Sequence, residues 1–367
     1  MQIKNIQIKN FKSLKNIDIV LNNLTLVTGV NSSGKSSFIQ SLLLFKQNQE
    51  KFYSLRGSKI ANINDKKYVR LGNKNDILFE AVFDENIKIN ILNDTINHKL
   101  EFNSNNLEIE DVQILTEDNE KLFNIFYEDF QYISTDRIFP EIFYPMSDEE
   151  VDKNLVGTTG EYTAHYLANN RHKEIMEALK HPNSKTSQLL ENVSLWLSEI
   201  SFNIEVKAKL YDELQQVNLT YQYTYGDNKT RDYTPLNVGF GITYVLPIIV
   251  SILKAKKGDL LIIENPESHL HPKGQSKIAE LCAIASANGV QIIVETHSDH
   301  FLNGVRVATK KGLLKPSDSK IYYFSKEFGE LETQIDEINI DDNGGIDRYP
   351  KGFFDQFDDD LDELLGL

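Results

Sequence analysis

The residues with the clearest chemical meaning lie near the start of the chain, at positions 29–36. They read GVNSSGKS and match the spacing G-x-x-x-x-G-K-S/T in full. In this pattern the glycines let backbone N–H groups curl around a β-phosphate, and the N-terminus of the following helix adds a favourable dipole. Lys35 would bridge the β- and γ-phosphates, Ser36 would offer its hydroxyl to Mg²⁺, and Ser37 could reach the α-phosphate. The motif therefore predicts a site for ATP and Mg²⁺. The residues that we assign to phosphate binding are Gly29, Asn31, Ser32, Ser33, Gly34, Lys35, Ser36 and Ser37.

A second chemically suggestive stretch, LLIIENPESHLHP, occupies residues 260–272. Four apolar residues lead directly into Glu264 and Glu267, as a buried strand does when it delivers acids to an ATPase site. Asn265 lies between the two acids, and its neutral amide cannot accept a proton from an attacking water as a carboxylate does. Glu267 could act as the base directly or through one water. Its alternative role is structural, as a charge at the N-terminus of a helix.

Histidines gather in the same part of the chain and could suggest a metallohydrolase. The spacing does not match H-E-x-x-H, and no two histidines are placed i, i+4 on one helix. Loops at strand ends near the γ-phosphate explain them better, with His269 and His271 packing beneath the site and Pro272 helping to begin the next helix. The residues concerned are His269, His271, His297, His300, Glu295 and Asp299.

The elements that must position these residues follow an alternating pattern. LTLVTG (24–29) predicts a buried strand before the glycine-rich turn, and IKNIQIKNF predicts a half-buried edge strand. Short β-like runs such as DILFEAVF and IKINIL predict an antiparallel β-lobe over about 68–131. KEIMEALK and SQLLENVSLWLSEI have helical spacing, and NIEVKAKL and VNLTYQYTYG resemble strands. From Leu236 onward, helices and strands alternate, which implies a parallel sheet.

Composition and charge limit the classes of protein. The chain has 367 residues with 40% hydrophobic and 25% charged residues, as ordinary globular proteins do. No N-terminal segment resembles a signal peptide, and the longest apolar run, at 239–253, is too short for a bilayer span and contains Pro247. We interpret this run as a buried helix. The single cysteine, Cys282, fits a reducing cytoplasm. We expect a cytoplasmic protein without membrane contact.

Net charge bears on nucleic-acid binding. The formal charge of −15 argues against a broad DNA-coating surface, although a local basic groove stays possible. Residues 355–367, DQFDDDLDELLGL, carry six carboxylates and no base. Such a tail is usually solvated, and it could also dock on a basic partner surface.

The order of these motifs resembles a known family. IKNFKSL, LVTGVNSSGKSS, YISTDRIFP, VGTTGEYTA, LNVGFGITYVLP, LLIIENPESHLHP and IIVETHSDHFLNGVR follow one another as in the ABC-type ATPase heads of the RecF, structural-maintenance-of-chromosomes and overcoming-lysogenization-defect group. Within that group, the chain resembles stand-alone prokaryotic AAA-family ATPases with a C-terminal RYPKGFFDQF-type segment of unknown function. The resemblance implies an α/β P-loop NTPase fold of ABC-ATPase type, with a mixed or parallel sheet core, an antiparallel β-lobe and an inserted, mainly helical subdomain.

The resemblance also implies domain boundaries. Residues 1–140 would form the N-terminal half of the head and 141–230 the inserted helical or mixed subdomain. Residues 231–335 would form the C-terminal half of the head, and 336–367 an acidic C-terminal segment.

Site roles follow from the resemblance as well. Glu264 takes the position of the Walker B acid and would hold Mg²⁺ through water, and Asn265 takes the position of the catalytic glutamate. His297 matches the switch histidine that contacts the γ-phosphate, so that Glu264, Asn265, Glu267 and His297 form the expected catalytic group. Arg137 is a candidate γ-phosphate sensor. Gln47 is a candidate for the Q-loop glutamine. The region of the signature motif, which reaches the partner's γ-phosphate across a dimer, contains Asn237, Gly239 and Gly241.

These inferences predict an ABC-type switch ATPase that forms a head-to-tail dimer around nucleotide. It would control a separately encoded effector or engage DNA, in antiphage defence or DNA repair. The sequence leaves open slow hydrolysis assisted by Glu267 or Glu264, hydrolysis at an ordinary rate, and binding without significant turnover. The alternatives are a non-hydrolysing, ATP-stabilised scaffold and a RecF-like DNA-binding repair factor.

Overall fold

The computed structural model describes residues 2–49, 60–80, 82–93, 97–111, 130–354 and 356–365. The strands in chain order are β1 (Asn5–Phe11), β2 (Leu14–Val20), β3 (Leu24–Gly29), β4 (Asn86–Leu92), β5 (Asn97–Asn103), β6 (Ile109–Asp111), β7 (Phe130–Ile133), β8 (Phe143–Pro145), β9 (Ile204–Tyr211), β10 (Gln216–Tyr225), β11 (Asn228–Lys229), β12 (Leu260–Glu264), β13 (Gln291–Glu295), β14 (Ser319–Ser325) and β15 (Gln334–Ile338). The α-helices are α1 (Lys35–Asn48), α2 (Asp148–Asp152), α3 (Thr163–Asn170), α4 (Leu189–Ile200), α5 (Phe240–Lys254), α6 (Pro272–Ala287), α7 (Asp299–Lys310) and α8 (Gln356–Leu365).

The chain divides into two compact units. Unit 1 comprises residues 1–127, 320–339 and 346–367, and unit 2 comprises residues 128–319 and 340–345. The four-part division expected from the sequence stays a prediction.

Unit 1 is built around an antiparallel sheet with the strand order β2-β1-β4-β5-β6. The alternating isoleucines of β1 are buried, and Ile8 lies opposite both Ile17 and Ile89. β1 is therefore an interior strand, and its prediction as an edge strand was wrong. The second neighbour, β4, lies some 80 residues away in the sequence, so the local pattern could not reveal it.

The phosphate-loop motif of unit 1 begins at the end of β3. All residues of β3 except Gly29 are buried, as the sequence predicted. β14 lies beside β3 and pairs antiparallel with β15. α1 follows the loop and buries Phe38, Ile39 and Leu42.

One predicted strand of unit 1 does not form. Residues 76–83 (DILFEAVF), of which position 81 lies outside the described residues, make only an isolated bridge between Leu78 and Phe11. Asn10 and Lys12 adopt left-handed backbone, with φ of 61° and 52°, and this interrupts the ladder that the run would need. IKINIL does form β4, and residues 112–129 of the expected β-lobe lie outside the described part.

Unit 2 contains three parallel strands in the order β13-β12-β7. The parallel pairing confirms the alternating helix–strand interpretation, and the apolar residues of β12 and β13 are buried as expected for such strands. α5 is buried along almost its whole length and contains Pro247, so the apolar run is a core helix. Among the described residues, no helix is both long and apolar enough to cross a membrane.

The rest of unit 2 combines helices α2–α4 with antiparallel strands. β10 pairs with β8, β9 and β11. KEIMEALK (173–180) was predicted as a helix, but only Glu177–Leu179 form a single 3₁₀ turn. The backbone of this segment pairs instead with residues 187–189, since Ile175 N–H donates to Ser187 O and Leu189 N–H donates to Lys173 O.

Candidate nucleotide-binding site and acid-bearing loop

Two glycines allow the phosphate loop of unit 1 to form. Gly29 has φ of 139°, and a Cβ at this position would lie 2.0 Å from the backbone oxygen of Phe324 in β14. Gly34 has φ of 108°, and its Cβ would lie 2.4 Å from Thr333 Oγ1. Both positions combine a backbone conformation that favours glycine with a neighbour that leaves no room for a side chain.

The loop holds its lysine through its own carbonyl groups. Lys35 is 4% exposed, and its Nζ donates to the carbonyl oxygens of Gly29 (2.9 Å) and Val30 (2.7 Å). Ser33 Oγ also donates to Val30 O, at 2.8 Å. These bonds fix the ammonium group inside the curve of the loop, as a phosphate-binding lysine requires.

The loop opens on a cavity of about 290 Å³. Lys35, Ser36 and Ser37 line it together with Lys12 and Lys326. Three ammonium groups therefore lie around one cavity at a helix N-terminus, which is an arrangement suited to a polyanion.

The contribution of Lys12 is held in place by α1. Its Nζ donates to Gln40 Oε1 at 2.7 Å. Burial lowers the pKa of the Lys12 ammonium, and nearby Asp76 opposes this effect. Sequence reasoning did not assign Lys12 to the site, although IKNFKSL was recognised as a family motif. No local sequence pattern points to Lys326 as a site residue, because it follows β14 and lies almost 300 residues after the phosphate loop in the sequence.

Thr333 ties the phosphate loop to the turn between β1 and β2. Its side-chain hydroxyl donates to Ser33 O at 2.7 Å and lies 2.8 Å from Ser13 Oγ, and its N–H donates to Ser13 O at 2.9 Å. Thr333 is 3% exposed. The loop is thus braced by a residue 300 positions away in the sequence.

The acid-bearing loop, residues 264–269, lies in unit 2 at the end of β12. Thr135 donates to Glu264 Oε2 from both its N–H (3.3 Å) and its Oγ1 (3.0 Å). Burial raises the pKa of Glu264, and the bonds from Thr135 and the charge of Arg137 partly oppose that effect. Glu264 consequently stays a candidate for the Walker B role, because its carboxylate is oriented by hydrogen bonds that stabilise the charged form.

Asn265 has a structural reason to occupy its position. Its φ is 44°, in the left-handed region that asparagine tolerates better than most residues. Its Nδ2 donates to Thr135 Oγ1 at 3.1 Å, and its N–H donates to Glu295 O at 2.8 Å. The Nδ2 end of the amide is therefore engaged within unit 2, whereas its buried Oδ1 has no hydrogen-bond partner.

The carboxylate of Glu267 is held by a backbone N–H from the segment after β13. Its Oε1 accepts from the N–H of His297 at 2.7 Å, whereas its buried Oε2 has no hydrogen-bond partner. Burial is the main cause that raises the pKa of Glu267, and hydrogen bonds from His297 and Thr296 oppose it. The structure thus joins two residues of the predicted catalytic group, Glu267 and His297.

Arg137, the candidate γ-phosphate sensor, is bonded to the backbone of the acid-bearing loop. It is 2% exposed, and its guanidinium donates to the backbone oxygens of Glu264 (2.8 Å) and Asn265 (2.7 Å). Burial lowers the pKa of the guanidinium to about 10, so it stays charged at neutral pH. The geometry favours a role in holding the acid-bearing loop.

Gln47, the candidate Q-loop residue, is also committed to local structure. Its Nε2 donates to Asn62 O at 2.9 Å, and its Oε1 accepts from Val69 N–H at 3.1 Å. Both the donor and the acceptor end of the Gln47 amide therefore bond to the backbone of unit 1.

The predicted signature residues lie at the start of α5 in unit 2. Asn237 and Gly239 are exposed, and Gly239 is the N-cap of the helix. Gly241 contacts its own chain, because a Cβ there would lie 2.4 Å from His269 O. Gly239 and Asn237 are accessible, whereas Gly241 is needed for packing against the acid-bearing loop.

The remaining histidines have identified neighbours. The His269 ring meets the rings of Phe240 and Tyr244 edge to face, and His271 is the N-cap of α6, with Pro272 as its first residue. His300 Nδ1 lies 3.7 Å from Asp299 Oδ1. Within the described residues, no three His, Cys, Asp or Glu side chains are grouped so that they could hold a metal ion.

Similarity to known structures identifies the fold. The chain is 15% identical to the structure titled "Crystal structure of the SmcHead bound to the C-winged helix domain of ScpA", with a TM-score of 0.55 and coverage of 92% of this chain and 98% of that one. It is 13% identical to an Smc head domain with an extended coiled coil, bound to the C-terminal domain of ScpA derived from Pyrococcus furiosus. That TM-score is 0.51, with 99% of each chain covered. These likenesses confirm the ABC-type P-loop NTPase fold.

Family models cover most of the chain. No curated protein matches it. Residues 314–364 match a family described as a protein of unknown function (DUF3696), in agreement with the expected C-terminal segment. Residues 24–303 match the family described as "AAA domain, putative AbiEii toxin, Type IV TA system". The chain therefore belongs to this family of AAA domains, and it carries an ATPase-type P-loop head similar to those of SMC proteins.

Proposed function

We propose that this protein is a switch that binds ATP with Mg²⁺ at the phosphate loop and hydrolyses it slowly. The observation that carries the proposal is the cavity in unit 1, around which Lys12, Lys35 and Lys326 converge. Backbone N–H groups at the start of α1 and three ammonium groups together suit a triphosphate far better than a neutral ligand. Ser36, which lines the cavity, is the proposed hydroxyl ligand of Mg²⁺.

Slow hydrolysis follows from the side chains of the acid-bearing loop. Asn265 cannot take a proton from water, and its amide is engaged with Thr135. Glu267 is the proposed base, since its Oε2 is unpartnered and its raised pKa makes it a stronger proton acceptor than an ordinary carboxylate. Glu264 is the proposed Walker B acid and His297 the proposed switch residue. General-base catalysis contributes about 10²- to 10⁴-fold in rate, so loss of Glu267 should be readily measured.

Self-association is a further part of the proposal. Asn237 and Gly239 are exposed at the start of α5, where a second copy could reach them. Leu236 is exposed just before α5, and exposed Phe139 lies beside the same helix start, since its ring centroid is 6.1 Å from that of Phe240. An exposed apolar surface beside a proposed signature segment favours a head-to-tail dimer.

A partner effector is proposed from the comparisons and from charge. Both SMC head structures are bound to domains of ScpA, so heads of this fold can present a protein-docking surface. The net charge of −15 makes a protein effector a better partner than DNA. The family description, which names a putative toxin of a toxin–antitoxin system, supports a role in defence rather than in DNA repair.

Steady-state phosphate release tests the enzymatic part. Wild-type protein should release phosphate above the background set by Lys35→Ala, and Glu267→Gln should fall by at least about tenfold with ATP binding retained. Asn265→Ala should retain most of the activity. Phosphate release at the Lys35→Ala level would support the scaffold alternative. Loss in Asn265→Ala but not in Glu267→Gln would refute the assignment of the base.

A further inference from the structure

The acid-bearing loop of unit 2 is packed against the first turns of α5 through an aromatic contact. The His269 ring lies 4.6 Å from Phe240 and 5.0 Å from Tyr244, and both rings meet it edge to face. Phe240 and Tyr244 are one helical turn apart on α5. The absence of a side chain at Gly241 allows the backbone oxygen of His269 to approach the helix. The loop end at His269 is therefore held on α5.

Tyr244 also reaches the other end of the loop. The centre of the Arg137 guanidinium lies 4.1 Å from the centroid of the Tyr244 ring, and the Tyr244 hydroxyl donates to Thr135 O. Arg137 in turn donates to the backbone oxygens of Glu264 and Asn265. Tyr244 thus contacts His269 at one end of the loop, and it contacts Thr135 and Arg137, which bond to the other end.

This contact matters because the loop backbone is costly to hold. Asn265 and His269 both have positive φ, 44° and 62°, and left-handed backbone costs up to about 1–2 kcal/mol per non-glycine residue, with asparagine at the low end. Such conformations persist where the surroundings over-determine them. Between these two residues lies Glu267, whose direction depends on the backbone that Arg137 and Tyr244 hold.

We propose that Arg137 and Tyr244 are a positioning pair that fixes the acid-bearing loop on α5 and thereby sets the orientation of the Glu267 carboxylate. The proposal rests on the proposed ATPase function for its kinetic consequence. Because the proposed signature residues begin α5, a partner that binds there would act on the loop through the same pair.

Kinetics of five variants test the pair. Arg137→Met and Tyr244→Leu should each lower kcat by about tenfold, and the double variant should fall by a similar factor rather than by the product, as expected for residues that act as a unit. The ATP dissociation constant should stay within about twofold of the wild type, because Lys35 and its loop are unchanged. Tyr244→Phe keeps the ring and should restore most of the rate, whereas Arg137→Lys should not, since one ammonium cannot replace the planar fork.

Tyr221→Leu is the matched control. Tyr221 is fully buried in β10 of the same unit, so its loss should destabilise the protein without lowering kcat of the folded fraction. Three results would each overturn the proposal. The first is an equal fall in kcat for Tyr221→Leu, and the second is independent effects of the two substitutions in the double variant. The third is a loss of ATP affinity in Arg137→Met and Tyr244→Leu that parallels the loss of kcat.

Hydrogen exchange separates this inference from the ATPase proposal. In Arg137→Met, amides of residues 264–271 should exchange faster than in the wild type, and those of the phosphate loop should not change. Unchanged exchange over 264–271 would refute the positioning role. If the wild type releases no phosphate above the Lys35→Ala background, the ATPase proposal fails, and the exchange result still decides whether the pair holds the loop.

Discussion

Replacement of Gly29 by alanine should damage unit 1 through a single steric clash. The new Cβ would lie 2.0 Å from the Phe324 oxygen and 2.8 Å from its carbonyl carbon and its nitrogen. These atoms belong to the backbone of β14, so relief requires a shift of the strand or the loop. Overpacking of this kind costs about 1–3 kcal/mol, and the positive φ of 139° adds about 1–2 kcal/mol. We expect a total loss of about 2–5 kcal/mol in the free energy of unfolding, against the ~5–15 kcal/mol typical of a domain.

Gly329→Ala provides the control for backbone strain alone. Gly329 has φ of 88° in the same unit, and nothing lies within 4 Å of its Cβ position. Its substitution should cost at most about 1–2 kcal/mol. Urea denaturation of both variants, followed by tyrosine and tryptophan fluorescence and by far-ultraviolet circular dichroism, measures the difference. Equal stability of the two variants would refute the packing of the phosphate loop against β14.

Three further outcomes are expected. Burial raises the pKa of Glu267, so the folded state disfavours the charged form of its carboxyl group. The wild type therefore loses stability as the pH rises from the ordinary carboxyl pKa through the raised one. The urea midpoint of Glu267→Gln should equal that of the wild type below about pH 4 and exceed it at pH ~8. Lys12→Met should weaken ATP binding by about tenfold in titration calorimetry at low salt, whereas an unchanged affinity would remove Lys12 from the site. Thr333→Val leaves the buried backbone oxygen of Ser33 without its side-chain donor and should lower the free energy of unfolding by about 1–3 kcal/mol. Thr333→Ser is the control, because it keeps the hydroxyl group and should be about as stable as the wild type.

The parts of the fold that the sequence predicted correctly depend on local pattern. The strand before Gly29 and the helix after Gly34 flank a glycine-rich turn, and the buried helix Phe240–Lys254 follows from an apolar run too short for a bilayer span. The interior position of β1 depends on pairing with β4, some 80 residues away, and the helix expected at 173–180 is replaced by backbone pairing with residues 187–189. No local window around β1 contains β4, and the helical spacing of 173–180 does not show that its backbone groups bond elsewhere.

The same distinction holds for the candidate site. The phosphate loop and the carboxylates Glu264 and Glu267 were found from spacing and residue type. Lys326 and Thr333 reach the loop from the far end of the chain, so only the folded structure brings them to it. The left-handed backbone at Asn265 gives a local reason for an asparagine at this position, and the motif alone did not reveal it.

Equilibrium binding of ATP with Mg²⁺ tests the central claim most directly. Titration calorimetry should give a saturable one-to-one isotherm for the wild type and for Lys351→Ala, which alters an exposed lysine of the same unit. Lys35→Ala should lose at least about a hundredfold in affinity, because its ammonium is the group that the loop holds in place. An affinity of Lys35→Ala equal to that of the wild type would contradict the assignment of the phosphate loop as the ATP site.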